Sequence, residues 1–404
     1  MVLGAGLYQV PLITTAQKQG IYTIAVSPDG DYPGLKVADK TYLYDVRDEE
    51  SILRAAQEEN IDGIVTDQTD IAVRTVAYVA NNMGLPGIDY DCAKRFTDKY
   101  LMRERCEELG LPTIKHRIVS SEAEAEAFLN ETGTDAIIKP VDNQGSRGIY
   151  KIESVQDIKD HFEQAKGFSK SGQVIIEQFI NGKEFEVDDI VFNSDLKTLM
   201  YCDIDLFDIP NVFASKTRIY PSAEPDEVVN RLLDIDRRTI QGLGLTQGLT
   251  HSEYKMAEDG TVYLLEAACR GGGAYVSSHI TPLQTGLQTA DLLIDMAMGK
   301  MKSLPEFETS KCVCATLCFY LPVGEVVSLE GVDEVRSMPF VYKEHLSNIK
   351  LGMKTRQFSD KTARYVTVVY ADTHEELLRD IDVIRDTLRV KIKTENGIEG
   401  PIWG

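Results

Sequence analysis

The sequence predicts an α/β protein, α+β in part, with a parallel α/β region first, a mixed region of short strands and helices next, and a small α+β tail. Helix-like and apolar strand-like stretches alternate over residues 1–95, the pattern of a parallel sheet flanked by helices. From Thr97 the character changes to a charged helix followed by short strands and helices. After Lys311 two strand-like runs, CVCATLCFYLPVG and ARYVTVVYA, precede one helix, HEELLRDIDVIRDTLRV. Domains at 1–95, 96–305 and 306–404 follow from these shifts, with no internal repeat.

The chain opens on VLGAGLYQVPLITTAQKQGIYTIAV, which reads as a glycine turn, a helix and a strand. Met1 stands almost on that turn, so the usual first strand is expected to be absent or nearly so and the N-terminus shortened. DEESILRAAQEEN reads as a helix, IDGIVTD as a strand, and TDIAVRTVAYVANNMG as a helix that stops at Gly84. Gly4 and Gly6 invite a dinucleotide fingerprint, but Gln9 occupies the third glycine position and no strand precedes the turn. A tight turn at the carboxyl end of a sheet is the plainer reading. TDQTD, residues 66–70, is either a substrate contact or a helix cap. DKYLMRERCEELG is a helix ending at Gly110, and LPTIKHRIV begins the short strands.

Composition excludes several classes. With 43 Lys and Arg against 64 Asp and Glu, the formal charge of −21 repels nucleic acid and anionic membrane surfaces. There is no signal peptide and no long apolar run, and the seven cysteines are scattered, which together predict a reduced, cytoplasmic protein. Cys312, Cys314 and Cys318 share one face of a strand-like segment and are expected to be small buried hydrophobes, since no ligand at zinc spacing follows.

Three stretches carry chemistry. In AIIKPVDNQGSRGIYKI, residues 136–152, a strand delivers Lys139 and a glycine-bearing loop leads into a returning strand. Gly145 and Gly148 let backbone N–H groups approach phosphates while Lys139 supplies a point charge, although an exposed β-turn would show the same pattern. In VIIEQFINGKEFEVDDIVF, residues 174–192, Glu177 ends one strand, and Glu184, Glu186 and Asp188 line one face of the next. Such a row is either an exposed acidic face or needs a hydrogen donor or a cation opposite it. In LTHSEYKMAEDGTVYLLEAACRGGGAY, residues 249–275, a turn at EDG places Glu253 and Glu266 on two adjacent strands. Two facing carboxylates repel unless a divalent cation lies between them. Arg270, followed by Gly271, Gly272 and Gly273, is placed to hold a carboxylate or a transferred phosphoryl group.

The order of these features, over roughly residues 97–300, resembles the ATP-grasp superfamily. The resemblance implies an ATP-grasp nucleotide-binding domain at 96–305 with a flap subdomain at about 115–180, a pre-ATP-grasp α/β domain before it and a small C-terminal α+β domain after it. It also implies roles: Lys99 and Lys139 on the phosphates; Gln144, Gly145 and Ser146 in the flap; Glu177, Gln178, Phe179 and Ile180 as the adenine hinge. Glu184 would bind the ribose, Glu253 and Glu266 would hold Mg²⁺, with Mn²⁺ as a substitute, and Arg270 would stabilise an acyl-phosphate. Many members carry Glu-x-Asn at the second metal position, whereas Glu266 is followed here by Ala267 and Ala268. One metal contact is therefore missing, and either a second metal is held less completely or water or His251 fills in. His251 could instead contact substrate or be a hydrogen-bonded strand residue.

More loosely, the front and tail resemble those of L-amino-acid ligases and carbamoyl-phosphate synthetase-like proteins. The activity implied is an ATP-dependent carboxylate–amine ligase that forms an acyl-phosphate, then an amide, and releases ADP and phosphate. Its partners would be a small carboxylate, such as an amino acid, and an amine, chosen by loops such as 66–70 and 271–278, with a homodimer as the expected assembly where one forms. Three rivals stand beside it: a carboxylase or purine-pathway ligase using bicarbonate or formate, a kinase that stops at a phosphorylated amide or carboxylate, and a non-catalytic nucleotide-binding regulator.

Overall fold

The first sheet is built from strands Val2–Leu3, Ile24–Ser27 and Lys40–Leu43, all parallel, with Val2 opposite Ala25 and Ile24 opposite Lys40. This is a computed structural model, and it describes residues 1–143, 147–309, 312–356 and 363–404. The chain divides into two units: Met1–Thr113 with Glu186–Tyr201 and Glu224–Thr309, and Ile114–Phe185 with Cys202–Ala223 and Ser310–Gly404. Strands Lys183–Phe192 and Asp195–Leu206 contribute residues to both. No helix among the described residues is long and apolar enough to cross a membrane.

In the first unit, helices Val10–Lys18, Glu49–Glu58 and Val73–Met83 accompany the parallel sheet. Asp48 caps the second by accepting from Ser51 N, and Gly84, at φ 66°, ends the third in a conformation that costs glycine little. Leu3, Ile24, Val26, Ile52, Ala56, Val79 and Ala80 form the buried core between them. The strand expected at IDGIVTD contracts to a single parallel bridge between Val65 and Val2. Its neighbour, Val2–Leu3, offers only two residues to pair with, so a longer ladder has no template.

The same unit holds the helix Lys99–Glu108, whose cap Asp98 accepts from Tyr100 N and Leu101 N, and the helix Asp226–Leu243. It also holds the hairpin of His251–Met256 and Val262–Ala268. Tyr254 from the hairpin donates to buried Asp236 on the long helix at 2.9 Å. That bond joins the hairpin to the helix behind it.

In the second unit, antiparallel strands His116–Val119, Val174–Gln178, Ala136–Pro140 and Tyr150–Ile152 lie in that order. Helices Glu122–Thr132 and Val155–Phe168 cover one face, burying Phe128, Ala136, Ile138, Ile158, Phe162, Val174 and Ile176. Because strand side chains alternate, Ile137, Lys139, Ile175 and Glu177 take the opposite face. The rest of this unit pairs Ser215–Tyr220, Val313–Phe319, Tyr365–Ala371 and Val341–Glu344, backed by helix His374–Thr387. Cys314 and Cys318 are wholly buried in the strand Val313–Phe319, and Cys312 is half-buried just before it.

Candidate functional site

The first unit sets Glu253 directly opposite Glu266 across the hairpin, with an irregularity in the ladder just after Glu253. Counting out from the EDG turn, Met256 pairs with Val262 and Tyr254 with Leu264, and the irregularity then skips Leu265, which is what brings Glu253 against Glu266. Lys99 Nζ meets Glu266 Oε1 at 2.8 Å. Lys99 is the first residue of its helix, where the positive end of the macrodipole disfavours an ammonium, and it is nonetheless buried. A carboxylate beside it offsets that cost. Directly behind, Arg103, 1% exposed, donates to Leu265 O at 2.6 Å and ties this helix to the glutamate strand.

Arg270 follows the same strand. Its Nε and Nη2 donate to the two oxygens of Asp70 at 2.7 and 2.9 Å, a bidentate pair, and Nη1 donates to Gly271 O. Burial works against the guanidinium's charge, but Asp70, helped by Glu266 and Asp67, outweighs it and holds the group charged above its ordinary range. Asp67, wholly buried, accepts from Gly271 N at 3.0 Å and from Ser277 Oγ at 2.9 Å. Burial raises its pKa, and those hydrogen bonds only partly oppose the rise. Residues 66–70 therefore contact the segment after Arg270 through Asp67 and Asp70. The helix that follows begins only at Val73, with Ala72 at its cap position, so the cap alternative fails for these two side chains.

Gln9, which breaks the glycine fingerprint, has a structural task. Its Oε1 accepts from Gly6 N and its Nε2 donates to Asp67 O at 2.7 Å, with the side chain buried. Gly4, at φ 94°, makes the turn this geometry requires.

His251 lies opposite Ala268 in the hairpin ladder. Its Nδ1 is 3.0 Å from Asp188 Oδ1 and its Nε2 is 3.5 Å from Glu186 Oε2, all three residues being buried. Glu186 and Asp188 are thus not an exposed acidic face, and the group opposite them is the imidazole of His251. Their donor atoms and those of His251 all lie within 4.8 Å of one another. Both ring nitrogens face carboxylates, and the three residues form a group that could hold a metal ion. Burial raises Asp188 to about 7, against the pull of His251. Burial also opposes charge on His251, but the two acids raise its pKa overall.

In the second unit, Lys139 Nζ meets Glu177 Oε2 at 2.6 Å, with side-chain exposures of 9% and 4%. Glu177 stands opposite Ile137, and Lys139 lies two residues along the same face, which is within diagonal reach of a long side chain. Sequence reasoning had placed both residues at a nucleotide but not against each other. Gln178 N donates to Lys115 O and Phe179 N to Asp135 O, fixing the start of the 177–180 segment. Lys151 Nζ lies 4.8 Å from the centre of the Phe179 ring. Asp142 accepts from Ser169 Oγ, Lys170 N and Ser171 N, anchoring the entry to the glycine loop. Gly148, at φ 74°, lies so near Phe168 that a Cβ there would meet its ring at 2.8 Å. Glu184 is half-buried on its strand, whereas Gln144, Gly145 and Ser146 lie outside the described residues.

The comparisons agree with this architecture. The solved L-amino acid ligase from Bacillus licheniformis superposes with a TM-score of 0.81 at 20% identity, covering 97% of this chain and 98% of that one. A family model described as an ATP-grasp domain matches residues 132–278. That match places the resemblance to ATP-grasp domains in the middle of the chain. Among curated relatives, the alanine–anticapsin ligase of Bacillus subtilis (strain 168) is 27% identical over 277 residues, 64% of this chain and 58% of that protein. The formate-dependent phosphoribosylglycinamide formyltransferase of Methanocaldococcus jannaschii is 29% identical over 186 residues, 45% of this chain and 47% of that one. The matched regions thus span 58% and 47% of the lengths of these two relatives.

Proposed function

We propose that the protein is an ATP-dependent carboxylate–amine ligase, joining a small acid such as an amino acid to an amine through an acyl-phosphate and releasing ADP and phosphate. The observation that carries the reading is Glu253 directly opposite Glu266, with Arg270 four residues beyond on the same strand exit. Facing carboxylates are a hard-oxygen donor set suited to Mg²⁺, with Mn²⁺ as a substitute. Glu253 and Glu266 would hold it, and the bound ion would neutralise phosphate charge. Two of the matched proteins favour a ligase by their names, the L-amino acid ligase and the alanine–anticapsin ligase, the latter aligned over 64% of this chain.

In this reading Lys99 and Lys139 bring positive charge to the phosphates of ATP. Each is already paired with a carboxylate, Glu266 and Glu177 respectively, which keeps a buried ammonium charged before nucleotide arrives. The 177–180 backbone reads the base, and Glu184 binds the ribose. The substrate carboxylate attacks the γ-phosphorus and the bond to ADP breaks. Arg270 holds the transferred phosphoryl group through its terminal nitrogens while the amine attacks the acyl carbon and phosphate departs. No covalent enzyme nucleophile is needed, because phosphoryl transfer asks chiefly for positioning and charge neutralisation.

The formate-dependent relative supports a second reading, in which the acid is formate or bicarbonate. One experiment separates them: ADP and phosphate release from ATP measured against paired carboxylates and amino acids, with formate and bicarbonate as further acids. The ligase reading expects release only when a larger carboxylate and an amine are both present, together with an amide product. Release that depends on formate or bicarbonate alone selects the second reading, and ATP turnover with no acid pair defeats both.

A further inference from the structure

The structure assigns Asp70 as the positioning residue for Arg270, part of a two-acid clasp in the 66–70 loop that aims the arginine at the phosphoryl group. The inference rests on the ligase reading for Arg270's contact with that group and goes beyond it in naming what aims the side chain. A guanidinium has five N–H donors in a rigid fork. Three are engaged here: Nε and Nη2 with the Asp70 carboxylate, and Nη1 with Gly271 O. One hydrogen on each terminal nitrogen is left, so the end of the fork, rather than its Nε side, is what a ligand meets. Both side chains are only 14% exposed, which makes this a held pair rather than a solvated surface bridge.

A second acid fixes the backbone that carries the fork. Asp67 accepts from Gly271 N and Ser277 Oγ, and its own carbonyl is gripped by Gln9, whose other end accepts from Gly6 N. The loop is therefore braced from the opening turn of the chain. The held segment is one that backbone preference alone would not form. Ala274 and Tyr275 take φ of 54° and 70°, which non-glycine residues rarely adopt, and Val276–Ile280 is a π-helical turn. Gly271 lies so near Asp67 and Ser277 that a Cβ would fall 2.6 and 2.3 Å from their oxygens. Strained backbone persists where its surroundings over-determine it, and the two acids of the 66–70 loop supply that constraint.

The test uses inorganic phosphate as probe on the full chain saturated with MgADP, read by calorimetry, with MgADP affinity and melting temperature measured in parallel. Asp70→Asn and Arg270→Ala are each expected to weaken phosphate binding by about tenfold or more, since misplacing such a group by about 1 Å can cost about 100-fold. The double variant is expected to be no weaker than Arg270→Ala alone, Asp70→Glu to recover part of the loss, and MgADP affinity to stay within about twofold throughout, as expected of a group that acts through Arg270 and not on the nucleotide. A merely structural Asp70 would lose MgADP affinity in parallel and gain nothing from Asp70→Glu, which overturns the assignment. So does unchanged or tighter phosphate binding in Asp70→Asn while Arg270→Ala loses it, or losses that add in the double variant; Arg270's own role survives those outcomes. If Arg270→Ala is itself silent, Arg270 leaves the ligase mechanism and this assignment falls with it. A second measurement needs no variant at position 70: the arginine Nε–H NMR signal missing from Arg270→Ala should stay protected from exchange before and after phosphate is added. Loss of that protection on adding phosphate shows the Asp70 edge released and overturns the clasp.

Discussion

Lys139 with Glu177 and Lys99 with Glu266 are the same chemical pair in two settings. In the second unit both partners are almost wholly withdrawn from water, at 9% and 4% exposure. In the first unit Lys99 is 10% exposed but Glu266 is 37% exposed and faces a second acid, Glu253. A sealed pair is strongly coupled to folding, because removing one member strands a buried charge. A half-open pair is only weakly coupled, because water and salt screen it. The contrast separates a lysine the fold depends on from one the fold can do without, although both are read as serving phosphate.

The sharpest way to break that contrast is Lys139→Met, which should destabilise the protein by about 3–5 kcal/mol, the cost typical of an orphaned buried charge. Adding Glu177→Gln should recover much of the melting temperature in thermal denaturation but not the affinity for ATP. Recovery of both would mean that Lys139 serves the fold alone. Next in size, Arg270→Ala should lower turnover by about 100- to 1,000-fold, as removal of one preorganised charge donor does, with little change in ATP affinity in a coupled ADP-release assay. Normal turnover would remove Arg270 from the mechanism. Lys99→Met should cost only about 1 kcal/mol of stability while weakening MgATP binding in calorimetry; a loss as large as that of Lys139→Met would erase the distinction between the two pairs.

The smallest effect expected is on pH dependence. Asp188 has a folded pKa of about 7 against an ordinary 3.8, so the fold binds its proton more tightly than the unfolded chain does. His251 is raised as well, which has the same sign. The contribution of Asp188 is therefore fully present below about pH 4 and is lost as pH rises through about 7, whereas that of His251 is fully present up to its ordinary 6.5 and is lost only above it. Asp188→Asn should flatten that slope in melting curves taken across this interval, and an unchanged slope would show that the cluster does not titrate there.

Local pattern carried the fold and part of the site. The EDG turn was enough to place Glu253 and Glu266 on adjacent strands, but a register counted outward from it sets Glu253 against Leu265, and the irregularity after Glu253, which no local pattern announces, brings it opposite Glu266. Gly84 was legible as a helix stop for the same local reason. The Asp70–Arg270 pair and the seat of His251 between Glu186 and Asp188 were not legible, because their partners lie 200 and 63 residues apart and no periodicity spans that distance. Gln9 is an intermediate case: its departure from the glycine pattern was visible, but its grip on Asp67 was not. The strand expected at 61–67 failed because apolar alternation shows what could pair and not whether a partner is long enough.

The most direct test concerns the facing acids. Mn²⁺ and ATP can be titrated onto the wild-type chain and the Glu253→Gln, Glu266→Gln double variant, with the bound ion followed by electron paramagnetic resonance. Wild type should immobilise Mn²⁺ in the presence of ATP, and the double variant should bind it at least about tenfold more weakly while keeping its fold. Equal Mn²⁺ immobilisation by both proteins would contradict the account.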